Sequence, residues 1–257
     1  MKALRAIVMA FSMYSRLPMP MVEWTQESRS WALCAFPLVG AAVGAALFLW
    51  NILASWLGLG RILTGAVFTL IPLIITGGIH MDGFCDTCDA RSSHQDREKK
   101  LAILSDPHVG AFAVLGCLMY LLLTFGLWCQ LDRTRTGDML AVCLLPIFSR
   151  ILSAYAAMSL PNARGDGLLA AFTQGEAKPR KRLLGAFGVT IAGLMFCMGL
   201  GGSCVIAALA AYFYYLRMAR WEFGGLTGDL AGWFLQICEL YQLADLVLAQ
   251  RLLEVLG

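Results

Sequence analysis

The chain alternates long uncharged stretches with short segments that hold nearly all of its charge. Such runs are typical of membrane-spanning helices, because about 20 apolar residues cross the ~30 Å hydrocarbon layer. Expected spans lie near 30–60, 62–79, 109–131 and 139–160, with a two-span hairpin in 183–216 and a last helix from 230. The pattern therefore predicts an all-α polytopic membrane helical bundle of about six to seven transmembrane helices, forming one integral membrane domain over residues 1–257.

Details of the apolar runs refine this prediction. The first run, residues 6–15, is short and no small-x-small cleavage site precedes Arg16, which favours an interfacial or re-entrant helix over a cleaved signal peptide. Gly40 and Gly44 lie in the first long run, where small residues suit close helix packing. The uncharged run from 183 to 216 is too long for one crossing, so we expect it to break at residues 201–203.

Composition supports a membrane protein. Hydrophobic residues make up 59% of the chain, charged residues only 14%, and the mean hydropathy is +0.69, whereas soluble domains carry about 25% charged residues. Most of the nine cysteines lie in apolar runs, so we interpret them as small hydrophobic residues rather than disulfide partners. Membrane lipid is an expected partner, and no nucleic-acid partner is expected.

The positive charges are distributed unequally. Fifteen of the twenty lysines and arginines lie in the N-terminal segment and in the loops 80–108, 161–182 and 217–229, and only three lie in the intervening turns. The positive-inside rule places these loops on the cytoplasmic side of a bacterial cytoplasmic (inner) membrane. A divalent-cation-binding membrane transporter is the alternative, but transporters hold their ligands near the midplane, and apart from Arg150 the predicted helix interiors are almost free of charge.

Three carboxylates, Asp82, Asp86 and Asp89, directly follow the second apolar run. At spacing i, i+4 and i+7, a helix holds them within an arc of roughly 60°. Anions this close repel each other and need a cation, and hard oxygen ligands suit Mg²⁺, Mn²⁺ or Ca²⁺. A merely solvated acidic face is the alternative, which is disfavoured because no basic residue occurs before Arg91 and because a membrane-type segment comes directly before the triplet.

Other polar motifs have structural as well as functional interpretations. In the segment 224–229, glycines permit close approach to a phosphate and Asp229 adds a fourth carboxylate, although the same residues could cap a helix. Asp106 fits the N-cap of the third span, with a catalytic role as the second interpretation. For the segment 164–167, a solvated turn is the default interpretation.

Two further residue types, cysteine and histidine, could bind a metal or take part in catalysis. Cys85 and Cys88 form a CxxC pair, but neither a second such pair nor a suitable pair of histidines supports zinc, so we interpret the spacing as coincidental. His80 could equally be a general base, a donor to phosphate or a satisfied histidine at the membrane boundary. Metal-binding carboxylates, glycine-rich loops and basic residues on one membrane face suit phosphoryl transfer.

Taken together, these motifs resemble the cobalamin synthase (adenosylcobinamide-GDP ribazoletransferase) family. Residues 77–89 are similar to its GGxHxDGxxDTxDG signature, and five other segments match in order: 15–20, 36–40, 106–112, 164–167 and 224–229. The chain departs from the signature at Cys85, Cys88 and Ala90, and none of these replaces a carboxylate. More distantly, the acidic motif is similar to that of the CDP-alcohol phosphotransferases, which hold two metals.

The resemblance implies a Mg²⁺-dependent phosphotransferase, with Mn²⁺ as a substitute. A hydroxyl of alpha-ribazole, or of its 5′-phosphate, would attack the phosphorus bonded to the cobinamide arm of adenosylcobinamide-GDP and release GMP, with a homo-oligomer left open. The implied metal ligands are Asp82, Asp86, Asp89 and Asp229. Asp89 and His80 are the implied catalytic residues. The implied substrate-binding residues are Arg91, Asp106, Arg164, Asp166, Gly225 and Thr227.

Overall fold

The computed structural model describes residues 2–165, 171–173 and 177–256. In that part of the chain the regular structure is helical, apart from one isolated bridge between Asn162 and Leu226. The helices are α1 (Lys2–Tyr14), α2 (Gln26–Trp56), α3 (Arg61–Thr76), α4 (Ile79–Ser92), α5 (Arg97–Ile103), α6 (Ala111–Gln130), α7 (Thr136–Ala157), α8 (Ala177–Phe196), α9 (Gly201–Met218) and α10 (Gly228–Leu256). A π-helical turn, Ala219–Phe223, continues α9. The all-α prediction is confirmed for the described residues.

Fewer helices than expected are long and apolar enough to cross a membrane. Within the described residues, α2, α6, α7 and α9 with its π-helical turn meet this requirement, and the bent pair α3–α4 would make a fifth span. The predicted count of six to seven is higher because it also included α8, which begins with the basic run 178–182, and α10, which carries Glu239 and Asp245. Helix α1 has 13 residues, too few to span, as its short apolar run predicted.

Helix α2 packs most extensively against α7, and two glycines make this contact close. A Cβ atom added at Gly40 would overlap the carbonyl oxygen of Pro146, and one at Gly44 would overlap that of Cys143. The two backbones therefore touch without side chains between them. This confirms the packing role predicted for these glycines.

The chain turns sharply between α3 and α4. Gly77 and Gly78 have φ angles of 67° and 81°, a left-handed conformation that glycine adopts without steric cost. The helix axes on either side differ by 97°, so the second apolar helix ends at Thr76 and not at residue 79, the expected end of the second span. The Arg16 N–H donates to the Ile75 carbonyl at 2.8 Å, which fixes the segment after α1 across the bend.

The long uncharged run forms a helical hairpin as predicted, but of its two helices only α9 is among those apolar enough to span a membrane. Helices α8 and α9 are joined by residues 197–200, so the break falls just before the expected glycines, which form the first turn of α9. The Leu200 N–H donates to Oδ1 of Asp138 at 2.8 Å, and Gln250 donates to Oδ2 of the same carboxylate at 2.8 Å. A buried aspartate therefore ties the hairpin turn to α7 and α10.

A buried ion pair joins α7 to α10 inside the bundle. Arg150 is 1% exposed, and its Nη1 donates to Oε1 of Glu239 at 2.7 Å and to the Pro146 carbonyl at 2.8 Å. The Ser149 hydroxyl donates to the same Glu239 oxygen at 2.8 Å. The arginine noted in the fourth apolar run is thus neutralised by a carboxylate of the last helix.

Candidate active site

Helix α4 places the three carboxylates as their spacing predicted. It runs unbroken from Ile79 to Ser92 and buries Met81, Phe84 and Thr87 among other residues of its inner face. Asp82 is exposed and Asp86 is half-buried, one helical turn further on. The two carboxylates therefore lie on the outer side of α4, at its border with the neighbouring helix α10.

Helix α10 brings the fourth carboxylate to the same place. A Cβ atom added at Gly83 would lie 2.7 Å from the Cα of Asp229, and one added at Gly232 would lie 2.9 Å from the His80 carbonyl oxygen. The two helices thus cross with their backbones in contact. Asp229 is held beside Asp82, as the pairing of the two distant motifs predicted.

The charges of this cluster are incompletely balanced. Arg164 donates to Asp229 at 3.2 Å, whereas within the described residues neither Asp82 nor Asp86 accepts a hydrogen bond or forms an ion pair. Burial raises the pKa of the Asp229 carboxyl above its usual range, and the neighbouring Arg164 opposes that shift. Two unpaired carboxylates beside a third create an electrostatic demand for a cation.

Asp89 has a different environment from the other carboxylates. Its Oδ2 accepts from the Gly110 N–H at 2.7 Å and its Oδ1 from the Ala113 N–H at 2.9 Å. These are donors of the first turn of α6, which would otherwise have no intrahelical partner. Asp89 therefore caps a second helix, across 21 residues of sequence, and holds α4 against α6.

The N-cap predicted at Asp106 is wrong. Helix α6 begins at Ala111 with Gly110 as its N-cap residue, because the Asp89 carboxylate supplies the acceptor. Asp106 instead closes its own turn and accepts from the His108 N–H at 2.9 Å and from Nδ1 of that ring at 2.7 Å. Backbone donation from His108 holds the pKa of the Asp106 carboxyl below its usual range.

We expect Asp89→Ala to lower the free energy of unfolding by about 1–2 kcal/mol, because the start of α6 loses its cap. Asp106→Ala is the matched control and should change stability by less than about 0.5 kcal/mol, since that side chain is exposed. Thermal and denaturant unfolding in detergent measure both variants. Equal effects of the two substitutions would contradict the capping role of Asp89.

The glycine-rich segment 224–228 pairs with the segment 161–165. The Leu226 N–H donates to the Pro161 carbonyl at 2.9 Å, and the Ala163 N–H donates to the Leu226 carbonyl at 2.8 Å. The Gly225 N–H donates to the Ala219 carbonyl at 3.0 Å, and a Cβ at this glycine would overlap the Pro161 carbonyl oxygen. The backbone N–H groups of Gly224, Gly225 and Leu226 are therefore engaged within the protein and do not point to a phosphate.

Thr227 and Asp166 are the two other predicted substrate-binding residues near these segments in the sequence. Thr227 is 2% exposed, and its hydroxyl accepts from the Leu230 N–H at 3.2 Å, so it caps α10. Asp166 lies outside the described residues. The structure thus gives Thr227 the capping role that the sequence had left as the alternative.

Several basic side chains surround the site, and only some were expected. Arg91 is bound to Glu222 at 3.2 Å and to the Tyr214 hydroxyl at 2.7 Å, and Lys100 reaches the same Glu222 at 2.7 Å. Arg97 is exposed, lies against Gly224 and has no ion pair among the described residues. Sequence reasoning counted Arg97 and Lys100 only as loop charges, because spacing along the chain does not reveal contacts with the π-helical turn.

A cavity of about 210 Å³ opens beside the carboxylates. His80 is 5% exposed, faces this cavity, and its Nε2 has no hydrogen-bond partner among the residues that the structure describes. The Tyr14 ring stacks on the imidazole with centroids 6.1 Å apart, and the Phe36 ring meets it edge-on at 5.7 Å. The remaining lining residues are Met13, Leu33, Ile79, Asp82, Ser153, Ala154, Ala157, Gly228, Asp229, Ala231, Gly232 and Leu235.

Comparison with known proteins covers nearly the whole chain. The profile of the family described as Cobalamin-5-phosphate synthase matches residues 6–247. The chain belongs to this family. An adenosylcobinamide-GDP ribazoletransferase of Lachnoclostridium phytofermentans is 40% identical over 253 residues, which are 97% of this chain and 96% of the relative. One of Clostridium perfringens is 34% identical over 239 residues, 91% of this chain and 94% of the relative. No solved structure matches the chain.

The carboxylates of this Cobalamin-5-phosphate synthase family member do not form a complete metal site by themselves. Within residues 2–165, 171–173 and 177–256, no three His, Cys, Asp or Glu side chains are arranged to hold a metal ion. Mg²⁺ commonly takes only one or two protein carboxylates and completes its shell with water and substrate phosphates. Asp82 and Asp86, unpaired and beside Asp229, fit a metal of that kind and not the predicted four-carboxylate cage.

The cysteines at which this family member departs from the signature lie against α6. Cys85 lies beside Cys117 of α6, and a Cβ added at Gly116 would lie 2.8 Å from the Cys88 sulfur. Both cysteines pack at the edge of the main hydrophobic core. Their side chains thus contact α6 and not the carboxylate cluster.

We expect the double variant Cys85→Ala, Cys88→Ala to retain activity within a few-fold of wild type, because the thiols serve as packing groups. A turnover assay across a Mg²⁺ titration measures both the rate and the metal dependence. A loss of turnover accompanied by a loss of bound zinc would show that the CxxC pair is a metal site.

Proposed function

We propose that the chain is an adenosylcobinamide-GDP ribazoletransferase that forms the last bond in the assembly of cobalamin. The observation that carries the proposal is the meeting of Asp82 and Asp86 with Asp229 at the contact of α4 and α10, within a chain whose family match spans nearly its whole length. The named relatives are ribazoletransferases, and nothing among them supports the transporter alternative.

In the proposed reaction, a hydroxyl oxygen of ribazole bonds to the phosphorus attached to cobinamide. The bond from that phosphorus to the oxygen of the leaving GMP breaks, and the hydroxyl proton passes to a carboxylate of the cluster. Cationic side chains beside a transferring phosphoryl group stabilise its developing charge. Arg97 and Arg164, which border the carboxylates and the segment 224–228, are the residues we assign to the diphosphate.

Magnesium is the metal we propose for this site, with Asp82 and Asp86 as its protein ligands and Asp229 beside them. When bound, a divalent ion neutralises phosphate oxygens and stabilises the departing phosphate. Asp82 and Asp86, in the first half of α4, would hold the ion, and the Arg164 contact with Asp229 keeps a cationic group beside them. Asp89 contributes indirectly, because its bonds to α6 fix the position of α4.

The test of the proposal is release of GMP by the purified protein in detergent or nanodiscs. The reaction contains adenosylcobinamide-GDP, ribazole and Mg²⁺, and the matched controls omit ribazole or replace Mg²⁺ by a chelator. We expect GMP and the ribazole-containing corrinoid to appear in equal amounts and only in the complete mixture. GMP release that does not require ribazole would indicate hydrolysis and would contradict the proposed transfer.

The site end of the bundle is proposed to face the cytoplasm. Backbone hydrogen bonds join the segments 161–165 and 224–228 to each other. An ion pair joins α5, which follows α4, to the π-helical turn, so the motif loops share one end. Turns of the opposite end are joined separately, for example by Arg133 to Asn51 at 3.1 Å. Lysine and arginine are concentrated at the motif end, which the positive-inside rule assigns to the cytoplasm.

We expect single cysteines at Gln95 and Gly228 to react with a membrane-impermeant maleimide only after the inner face of the membrane is opened. A cysteine at Thr134 should react from the outer face. All three positions are exposed, and the experiment uses a background without native cysteines. Labelling of positions 95 and 228 from opposite faces would contradict a shared site.

A further inference from the structure

We propose that the cavity beside the carboxylates holds the aromatic base of the acceptor nucleoside, with His80 donating a hydrogen bond to an unsubstituted ring nitrogen of that base. This inference rests on the proposed function, because it assigns a place to one of its two substrates. The proposed binding site is lined by the rings of Tyr14 and Phe36, the imidazole of His80 and the alanines of α7.

The first argument is the polarity of the cavity. Its walls are mainly apolar, and its polar side chains are those of Tyr14, His80, Ser153, Asp82 and Asp229. Of these, His80 and Ser153 are buried and Asp82 is exposed. Cavities of about 150 Å³ with apolar walls accept a single benzene ring, so about 210 Å³ accepts a bicyclic ring whose sugar extends outward. An apolar base of the benzimidazole type fits such walls. Guanine fits poorly, because most of the donors and acceptors on its edge would lose their partners.

The second argument is the imidazole itself. Its Nε2 is buried and has no partner in the described part of the chain, and a buried polar atom without a partner costs free energy unless a ligand or water supplies one. The Tyr14 and Phe36 rings fix the imidazole plane from two sides. In the tautomer that carries its proton on Nε2, His80 can donate to a ring nitrogen that has a free lone pair.

The third argument is the position of the opening. Asp82 and Asp229 line the same cavity, so a sugar attached to a base in the cavity would extend its hydroxyl groups toward the carboxylates. The acceptor hydroxyl would then lie where the proposed metal and the diphosphate meet. The His80 contact positions the nucleoside, and the proton of the hydroxyl is left to the carboxylates.

The first experiment fills the cavity. Ala154 is 1% exposed and lines it, so Ala154→Leu should weaken ribazole binding at least tenfold, measured by calorimetry, and raise the KM for ribazole similarly. The KM for adenosylcobinamide-GDP should stay within twofold. Ala210→Leu is the matched control on an exposed part of α9 and should bind ribazole as wild type does. Equal ribazole affinity of the two variants, or loss of GMP affinity in place of ribazole affinity, would overturn the proposal.

The second experiment does not depend on the folding of the first variant. Wild type should bind the benzimidazole nucleoside about tenfold more tightly than its indole analogue, in which carbon replaces the free ring nitrogen, as expected for one buried hydrogen bond. His80→Phe should bind the two nucleosides equally. A preference that survives the substitution would exclude His80 as the donor.

The outcomes separate this proposal from the function on which it rests. Ribazole binding that Ala154→Leu weakens, without any GMP release by wild type, would overturn the proposed transfer and leave the cavity assignment standing. Ribazole-dependent GMP release with the same KM for ribazole in Ala154→Leu and Ala210→Leu would overturn the cavity assignment and leave the proposed transfer standing.

Discussion

Asp82→Asn and Asp86→Asn should each lower the rate of GMP release by orders of magnitude while the protein still inserts and purifies normally. Asn keeps the shape and one acceptor oxygen of Asp but lacks the charge that holds a hard divalent cation. Without the metal, charge on the transferring phosphoryl group is uncompensated, a loss of several kcal/mol in transition-state stabilisation, and each ~1.4 kcal/mol is a factor of ten. Glu254→Gln, an exposed change within α10, is the control and should retain full activity.

The same variants make a thermodynamic prediction that does not depend on turnover. Neutralising one of several repelling carboxylates should leave the melting temperature without Mg²⁺ unchanged or slightly higher. Wild type should gain about 2.7 kcal/mol at a Mg²⁺ concentration 100-fold above its Kd, and the variants should gain much less. Near-normal turnover of both variants, or a wild type indifferent to Mg²⁺ and Mn²⁺ in rate and melting, would contradict the metal–carboxylate mechanism.

Glu239→Ala should destabilise the bundle by about 3–5 kcal/mol, the second large effect that the structure predicts. The substitution leaves Arg150, which is 1% exposed, as an uncompensated buried charge and removes one of the two acceptors of the Ser149 hydroxyl. Leaving a buried charge without its partner is strongly unfavourable. Unfolding in detergent by denaturant or heat measures the change. The loss of stability caused by the substitution should depend little on salt concentration, because the Arg150 side chain is only 1% exposed.

A double variant tests whether the charges of Arg150 and Glu239 or the packing of their side chains determines the stability of the bundle. Arg150→Met with Glu239→Leu removes both charges and should recover most of the lost stability, since apolar pairs of similar volume often replace buried ion pairs without cost. The single Glu239→Gln variant should fall between wild type and Glu239→Ala. A double variant as unstable as Glu239→Ala would show that packing, and not charge, governs this position.

Features governed by local spacing were predictable from the sequence. The i, i+4, i+7 spacing placed Asp82, Asp86 and Asp89 on one helix, and uncharged length placed α6 within two residues of its observed ends. The meeting of Asp229 with Asp82 was also predicted, because both carboxylates were expected to bind the same cation. Periodicity and charge balance act over short distances or through simple electrostatics, so they are visible in a single sequence.

Features governed by tertiary contact were not predictable in this way. Asp89 caps a helix that begins more than twenty residues later, and the cap could not be inferred because a nearer aspartate, Asp106, satisfied the local rule. The sharp bend between α3 and α4 depends on two left-handed glycines, which the sequence equally allows inside a continuous helix. The more distant likeness to the CDP-alcohol phosphotransferases stays a prediction.

The bend at Gly77 and Gly78 has a consequence for how the chain enters the bilayer. A straight helix from Arg61 to Ser92 would be about 48 Å long at 1.5 Å per residue, so crossing the membrane would draw aspartates into the hydrocarbon at a cost of about 2.5–3.5 kcal/mol for each one at the helix centre. Turning by 97° after Thr76 sets α4 nearly perpendicular to α3, so α3 can run across the bilayer while α4 lies along its surface. The bend thereby lets an apolar helix and an acidic helix adjoin in the chain without both having to cross the hydrocarbon.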